Sequence, residues 1–271
     1  MKKTVLFTAA LVAVSAVSAQ TGEITSNRGE NWLSQDGDWG LTFSANPLLN
    51  YTGNLFNGHQ GNNIGNGLTW LNNDMIIRGK KLIDANTAYR GQVRIGFGSE
   101  KTTTEVATAD PADDAANMTE DVTKVGNMNI DLGVGLEKRV GSTRVVGVYG
   151  AMFNVGFGSS KTTYEYGNAL SNDNPVSRDT EVKNGGTFSI GLNAFAGIEW
   201  FCAPKISLSG EYTWGLNMSS QGYGSTSTET WDGANSSVTT TEVNTGNKTS
   251  DFSIDTGVSG AAMLGINFYF Q

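Results

Sequence analysis

Four arginines and three carboxylates sit where they could do chemistry only in company. Arg78, Arg90, Arg94 and Arg144, with Asp131, Glu211 and Asp255, fall on the polar sides of stretches that alternate polar with apolar residues. On such a face they could form a paired-carboxylate site, or neutralise one another in a closed structural network. The surrounding residues favour the network. His59 is the only histidine, it lies outside these stretches, and no serine or aspartate stands at a matching spacing, so a base that titrates near neutral pH is missing. His59 reads as a solvated loop residue. No metal or cofactor is expected, and Cys202, the only cysteine, has no disulfide partner.

The elements that must position these residues are strands. Eight segments carry the two-residue period: 39–51, 75–82, 88–98, 127–137, 144–158, 187–200, 206–218 and 252–270. In the third, Tyr89, Val93, Ile95 and Phe97 share a face opposite Arg90, Gln92 and Arg94. In the fourth, Met128, Ile130, Leu132, Val134 and Leu136 oppose Asn129 and Asp131. The second is the least regular, with Arg78 and Lys80 set against Ile77. A composition of 35 glycines and only four prolines suits twisted strands and turns better than helices. A tilted strand crosses hydrocarbon in about 9–11 residues, a length that every segment but 75–82 reaches.

The connections fall into two classes that alternate. Residues 84–87, 138–143 and 201–205 are short, while 53–74, 99–126, 159–186 and 219–250 are long. Short turns on the periplasmic side and long loops outside is the pattern of bacterial outer-membrane barrels. A soluble sandwich has no reason to place every long loop at one end. The expected fold is therefore all-β: an eight-stranded antiparallel up-and-down transmembrane β-barrel, residues 39–271, with short periplasmic turns and four long extracellular loops. An even strand count puts both termini on the periplasmic side.

The front of the chain agrees. Lys2 and Lys3, an apolar stretch from Val5 to Val17, and the small residues Val17-Ser18-Ala19 have the form of a secretory signal peptide over 1–19. Residues 20–38 are then a periplasmic N-terminal segment. Once Lys2 and Lys3 are removed, 16 basic side chains face 26 acidic ones, a balance that argues against nucleic acid as a partner. The back of the chain alternates strictly, with Leu264, Ile266, Phe268 and Phe270 against Met263, Gly265, Asn267 and Tyr269. Gly265, Phe268 and Phe270 resemble the terminal signal read by the barrel-assembly machinery, although the family usually stops at the aromatic and here Gln271 follows.

With these ends, the chain resembles the small eight-stranded outer-membrane proteins of the OmpA/OmpX/OmpW kind in single-domain form. The resemblance covers the whole mature chain and rests on pattern, including the hairpin over 77–98. It implies a bacterial outer-membrane location, with membrane lipid, lipopolysaccharide and the assembly machinery as partners and a monomer as the state. No peptidoglycan-binding domain is expected after the final strand. The function it implies is non-catalytic: stabilising the membrane and presenting surface loops to ligands or partners. A narrow channel for a small solute is the alternative, which bulky charges such as Arg90, Arg94 and Glu211 in the lumen disfavour. A lipid-modifying barrel enzyme comes third, because such enzymes need the histidine that the strands lack.

The long loops are the remaining surface. Residues 99–126 hold Glu100, Glu105, Asp110, Asp113, Asp114, Glu120 and Asp121 against Lys101 and Lys124. They read as a disordered acidic loop, or as a bridge through divalent cations to lipopolysaccharide phosphates. Residues 219–250 are rich in Ser and Thr, which suggests strands continued above the membrane, with Tyr223 and Trp231 as possible ligand contacts.

Overall fold

A computed structural model of the chain describes residues 24–44, 77–109, 117–255 and 262–271. Among them every regular element is a strand and every pairing is antiparallel, and the strands form a single twelve-stranded sheet. In chain order these are β1 (Trp39–Ser44), β2 (Ile77–Asp84), β3 (Thr87–Ala107), β4 (Met118–Val140), β5 (Val145–Glu165) and β6 (Arg178–Lys183). They continue as β7 (Thr187–Ala203), β8 (Ile206–Gln221), β9 (Gly224–Asp232), β10 (Ser237–Thr245), β11 (Thr249–Asp255) and β12 (Ala262–Phe270).

Eight of these strands pair in a closed circuit. β1 pairs β2, then β3, β4, β5, β7, β8 and β12 follow in turn, and β12 pairs back onto β1 with Trp39 opposite Phe270. The expected last strand, 252–270, is two strands on the same neighbour: β11 faces 215–221 of β8 and β12 faces 206–212. Residues 256–261 between them lie outside the described residues, as do 45–76, which hold His59 and the first long loop.

Local chemistry sets the short links. Between β2 and β3, Asp84 Oδ1 accepts the Asn86 backbone N–H at 2.7 Å, an Asx turn that reverses the chain in two residues. Between β7 and β8, Lys205 takes a left-handed backbone at φ 60° after Pro204. Backbone bonds then lace neighbouring turns together: Arg139 N–H to Asn86 O, Phe201 N–H to Arg144 O, and Tyr269 N–H to Lys205 O, each 2.8 Å.

Two of the segments expected to be long loops contain strand, which corrects the loop boundaries. β3 and β4 pair without a break from Thr87↔Lys138 to Ala107↔Met118, so most of the acidic segment 99–126 is an ordered hairpin. Its Thr and Val residues favour the pleat, and its charges find neighbours laterally. Lys101 faces Lys124 across the hairpin, but Lys124 reaches Glu165 of β5 at 2.5 Å. Asp110, Asp113 and Asp114 lie outside the described residues. Residues 159–186 likewise contain the end of β5 and all of β6. Residues 219–250 form β9 and β10, as their Ser/Thr-rich composition suggests. β6 links β5 to β9, and β10 completes this crown.

The N-terminal segment is not a free linker. Residues 24–32 make a small turn closed by the Thr25↔Asn31 bridge and the Trp32 N–H to Ile24 O bond of 2.8 Å. Leu33 then enters a buried cluster with Leu82, Ala88, Val146, Phe201 and Tyr269, with Ile24 and Trp32 packed against it. Asp38 is buried in an ion pair with Lys205, and Lys81 Nζ donates to Gly37 O at 2.5 Å. The segment thus packs under the short-turn end of the circuit.

Candidate functional site: the charged interior

The inner face of the circuit is stratified because every strand alternates. Leu82, Ala88, Val146 and Phe201 form the apolar layer nearest the short turns. One register step higher, alternation brings in Lys80 from β2, Arg90 from β3, Glu137 and Arg139 from β4, and Glu199 from β7. Arg78 and Glu211 follow immediately above. Buried charges on facing strands are tolerable only if paired, and these are. Lys80 Nζ lies 3.1 Å from Glu137 and 3.6 Å from Glu199. Arg139 contacts the same two carboxylates at 2.9 and 3.0 Å. Arg90 spans Glu137 at 3.2 Å and Glu211 at 2.8 Å, and Arg78 meets Glu211 at 3.0 Å.

Polar neighbours hold the carboxylates in place. Glu199 Oε1 accepts from Ser207 Oγ at 2.5 Å and from Tyr269 Oη at 2.6 Å. Asn267 Nδ2 donates to Ser207 Oγ at 3.0 Å, and Thr42 Oγ1 donates to Asn267 Oδ1 at 2.5 Å. The Arg90 guanidinium lies 4.0 Å from the Phe195 ring centre, and Tyr269 stacks on Phe201 at 5.7 Å. Gly40 makes room for this tyrosine, since a Cβ there would stand 2.8 Å from its Cε1. Gly265 does the same for Thr42 and Ser209, whose side-chain atoms would lie 2.8 and 2.9 Å from a Cβ. This gives Gly265 a packing reason of its own.

Above the charged layer the interior turns polar and opens. Gln92 Nε2 donates to Asn154 Oδ1 at 2.7 Å. Higher still, Arg94 and Asp131 approach to 3.6 Å, and the Asp131 side chain is 44% exposed. Arg94 and Asp131 therefore meet, but outside the buried network. Arg144 does not join it at all, which is a correction: it is exposed at the short-turn end with its guanidinium 4.7 Å from the Trp32 ring. As the last residue before β5 it belongs to the turn, not to the inner face. Asp255 pairs through its backbone with Gly215, and its side chain lies outside the described residues.

Lys80, Glu137, Arg139 and Glu199 complete the network and were not among the expected members. The signal for them was present: Lys80 is two residues from Arg78 on the same face, and Glu199 opposes Ile198 and Trp200. Glu137 ends the fourth expected segment on the Asp131 face, and Arg139 extends that face past the point where the segment was expected to turn. Phe268 and Phe270 are half-exposed on the outer face, where Phe268 meets Phe43 edge-on at 6.1 Å. Trp231 faces Val238 across the β9–β10 hairpin and donates to Asn172 Oδ1 at 2.8 Å, while Tyr223 is exposed between β8 and β9.

Comparison of the chain with family models, with curated proteins and with solved structures finds no match. Its function has to be argued from this geometry.

Proposed function

We propose that the chain is an eight-stranded outer-membrane β-barrel, exported by a signal peptide over 1–19, that stabilises the membrane and presents its crown to the outside without catalysis. The observation that carries this reading is the inversion of polarity across the closed circuit. Its inside holds the buried ion pairs, while its outside is a belt of large apolar side chains including Ile95, Phe97, Val134, Leu192 and Ile198, each more than half exposed. In water that belt would be a contiguous apolar surface far beyond what soluble monomers tolerate. In a bilayer it is the lipid-facing half of an alternating strand. The crown of β6, β9 and β10 with the upper ends of β3, β4 and β5 then stands outside the cell, and lipid and lipopolysaccharide surround the belt.

The charged layer favours this reading over a channel. An eight-stranded interior is just wide enough for side chains to fill, and Lys80, Glu137 and Glu199 have no solvent-exposed side-chain surface. An enzyme is disfavoured because the buried carboxylates are tied to cations. Purified protein in planar bilayers tests the choice. The proposal expects no discrete conductance above the lipid baseline, and reproducible single-channel steps would move the channel reading ahead.

A further inference from the structure

We propose that the polar, solvent-reached level above the charged layer is a binding site for one small oxyanion, of carboxylate or phosphate chemistry, held by Arg78. This goes beyond the function proposed above, which requires no ligand in the interior. The first observation is the charge balance of the buried layer. Among the described residues, Arg78, Lys80, Arg90 and Arg139 face only Glu137, Glu199 and Glu211, so four cations share three carboxylates. In a chain whose net charge is −8, a cationic surplus buried at one height is a local feature with a local consequence.

The second observation places that surplus. Lys80, Arg90 and Arg139 each touch two carboxylates, whereas Arg78 touches only Glu211, which it shares with Arg90. Arg78 is also the one cation of the layer that meets solvent: its side chain is 12% exposed, against 0–1% for the other three. Its Nη1 is committed to Glu211 and its Nε to Gln92 Oε1 at 3.2 Å, which leaves Nη2 without a hydrogen bond among the described residues. A guanidinium presents its donors as a planar fork that suits oxyanions.

The third observation is the polar level itself. Gln92 accepts from Arg78 and donates to Asn154, and Asn193 lies on the same inward face of β7. The half-exposed Asp131 shows that solvent reaches this level. The dense layer of ion pairs closes it from beneath, so it suits a small ion and not a chain or a lipid.

The test uses the full folded chain in an uncharged maltoside detergent, titrated calorimetrically with inorganic phosphate and, separately, acetate at constant ionic strength. Saturable binding of one equivalent is expected. Arg78→Gln should weaken it by at least about tenfold, the loss of a charge-assisted bond, while Lys248→Gln, on the exposed crown, should leave it unchanged. Absence of saturable binding to both ions, or equal weakening by both substitutions, would overturn the proposal. If Arg78→Gln does not fold, Arg78→Lys keeps the charge and loses the fork, and unchanged affinity there would count against it. Heat-modifiable mobility of each variant is scored independently, so failure to bind an anion is distinguishable from failure of the barrel reading.

Discussion

Removing the Glu199 carboxylate should destabilise the protein far more than removing one partner of the half-exposed Arg94–Asp131 pair above it. Glu199 faces Arg139 at 3.0 Å and Lys80 at 3.6 Å, and accepts hydrogen bonds from Ser207 and Tyr269. In Glu199→Ala, four buried cations would be left with two carboxylates, and two hydroxyls would lose their acceptor. Breaking a buried pair from one side costs about 3–5 kcal/mol, a fall of roughly two to three and a half decades in the folding equilibrium at about 1.4 kcal/mol per decade. Arg94→Ala removes a 3.6 Å pair whose carboxylate is 44% exposed, a situation worth about 0–1 kcal/mol. Urea unfolding in phospholipid vesicles, followed by tryptophan fluorescence, measures both. The double variant Lys80→Met/Glu199→Leu restores the original charge difference and should recover at least half of the loss. If Glu199→Ala costs no more than Arg94→Ala, the interior is wet and the buried-network reasoning fails.

Three further outcomes follow from the same geometry. Cysteine at Ser227, in β9 of the crown, should react with an impermeant thiol reagent on intact cells and cysteine at Lys138 should not; the opposite labelling would invert the orientation. Phe270→Asp places charge on the outer face at the closing strand, so folded, heat-modifiable protein should fall well below parental amounts; parental amounts would refute a lipid-facing Phe270. In the crown, hydrogen bonds from Lys183 and Lys161 hold the Glu181 carboxyl below its ordinary range of about 4.3. A depressed acid stabilises the folded state above its unfolded value and loses that contribution as pH falls through the folded one. The β5–β6 pairing at Lys161↔Lys183 should therefore lose amide protection, relative to the intrinsic exchange rate, only as pH falls below the ordinary carboxylate range. A Glu181 titration midpoint at the ordinary value would contradict this.

The parts of this fold legible in the sequence are those governed by a two-residue period. Leu264, Ile266, Phe268 and Phe270 announce their outer face by themselves, and Arg90 and Glu211 could only point inward. What escaped depends on neighbours distant in sequence. Residues 99–126 look like a loop because seven carboxylates stand against only Lys101 and Lys124, and their pairing sets like charges opposite at Lys101↔Lys124 and Glu105↔Glu120. Only the third strand, through Glu165, makes the hairpin acceptable. Residues 24–38 have no periodicity, and Leu33 becomes core only because Leu82, Val146 and Phe201 converge beside it. Parity places Arg144 inward, but parity fails at a turn, where Trp32 from the N-terminal segment meets its guanidinium.

The central claim is that the outer face of the circuit meets hydrocarbon while the inner face does not. Nitroxide labels at single cysteines introduced at Ile95, Val134 and Leu192 on the outside, and at Asn154 on the inside, test it in reconstituted vesicles. High collision rates with oxygen and low rates with a water-soluble nickel chelate are expected at the three outer positions, and the reverse preference at Asn154. Outer labels that collide with the chelate as freely as a label on the exposed crown would contradict it.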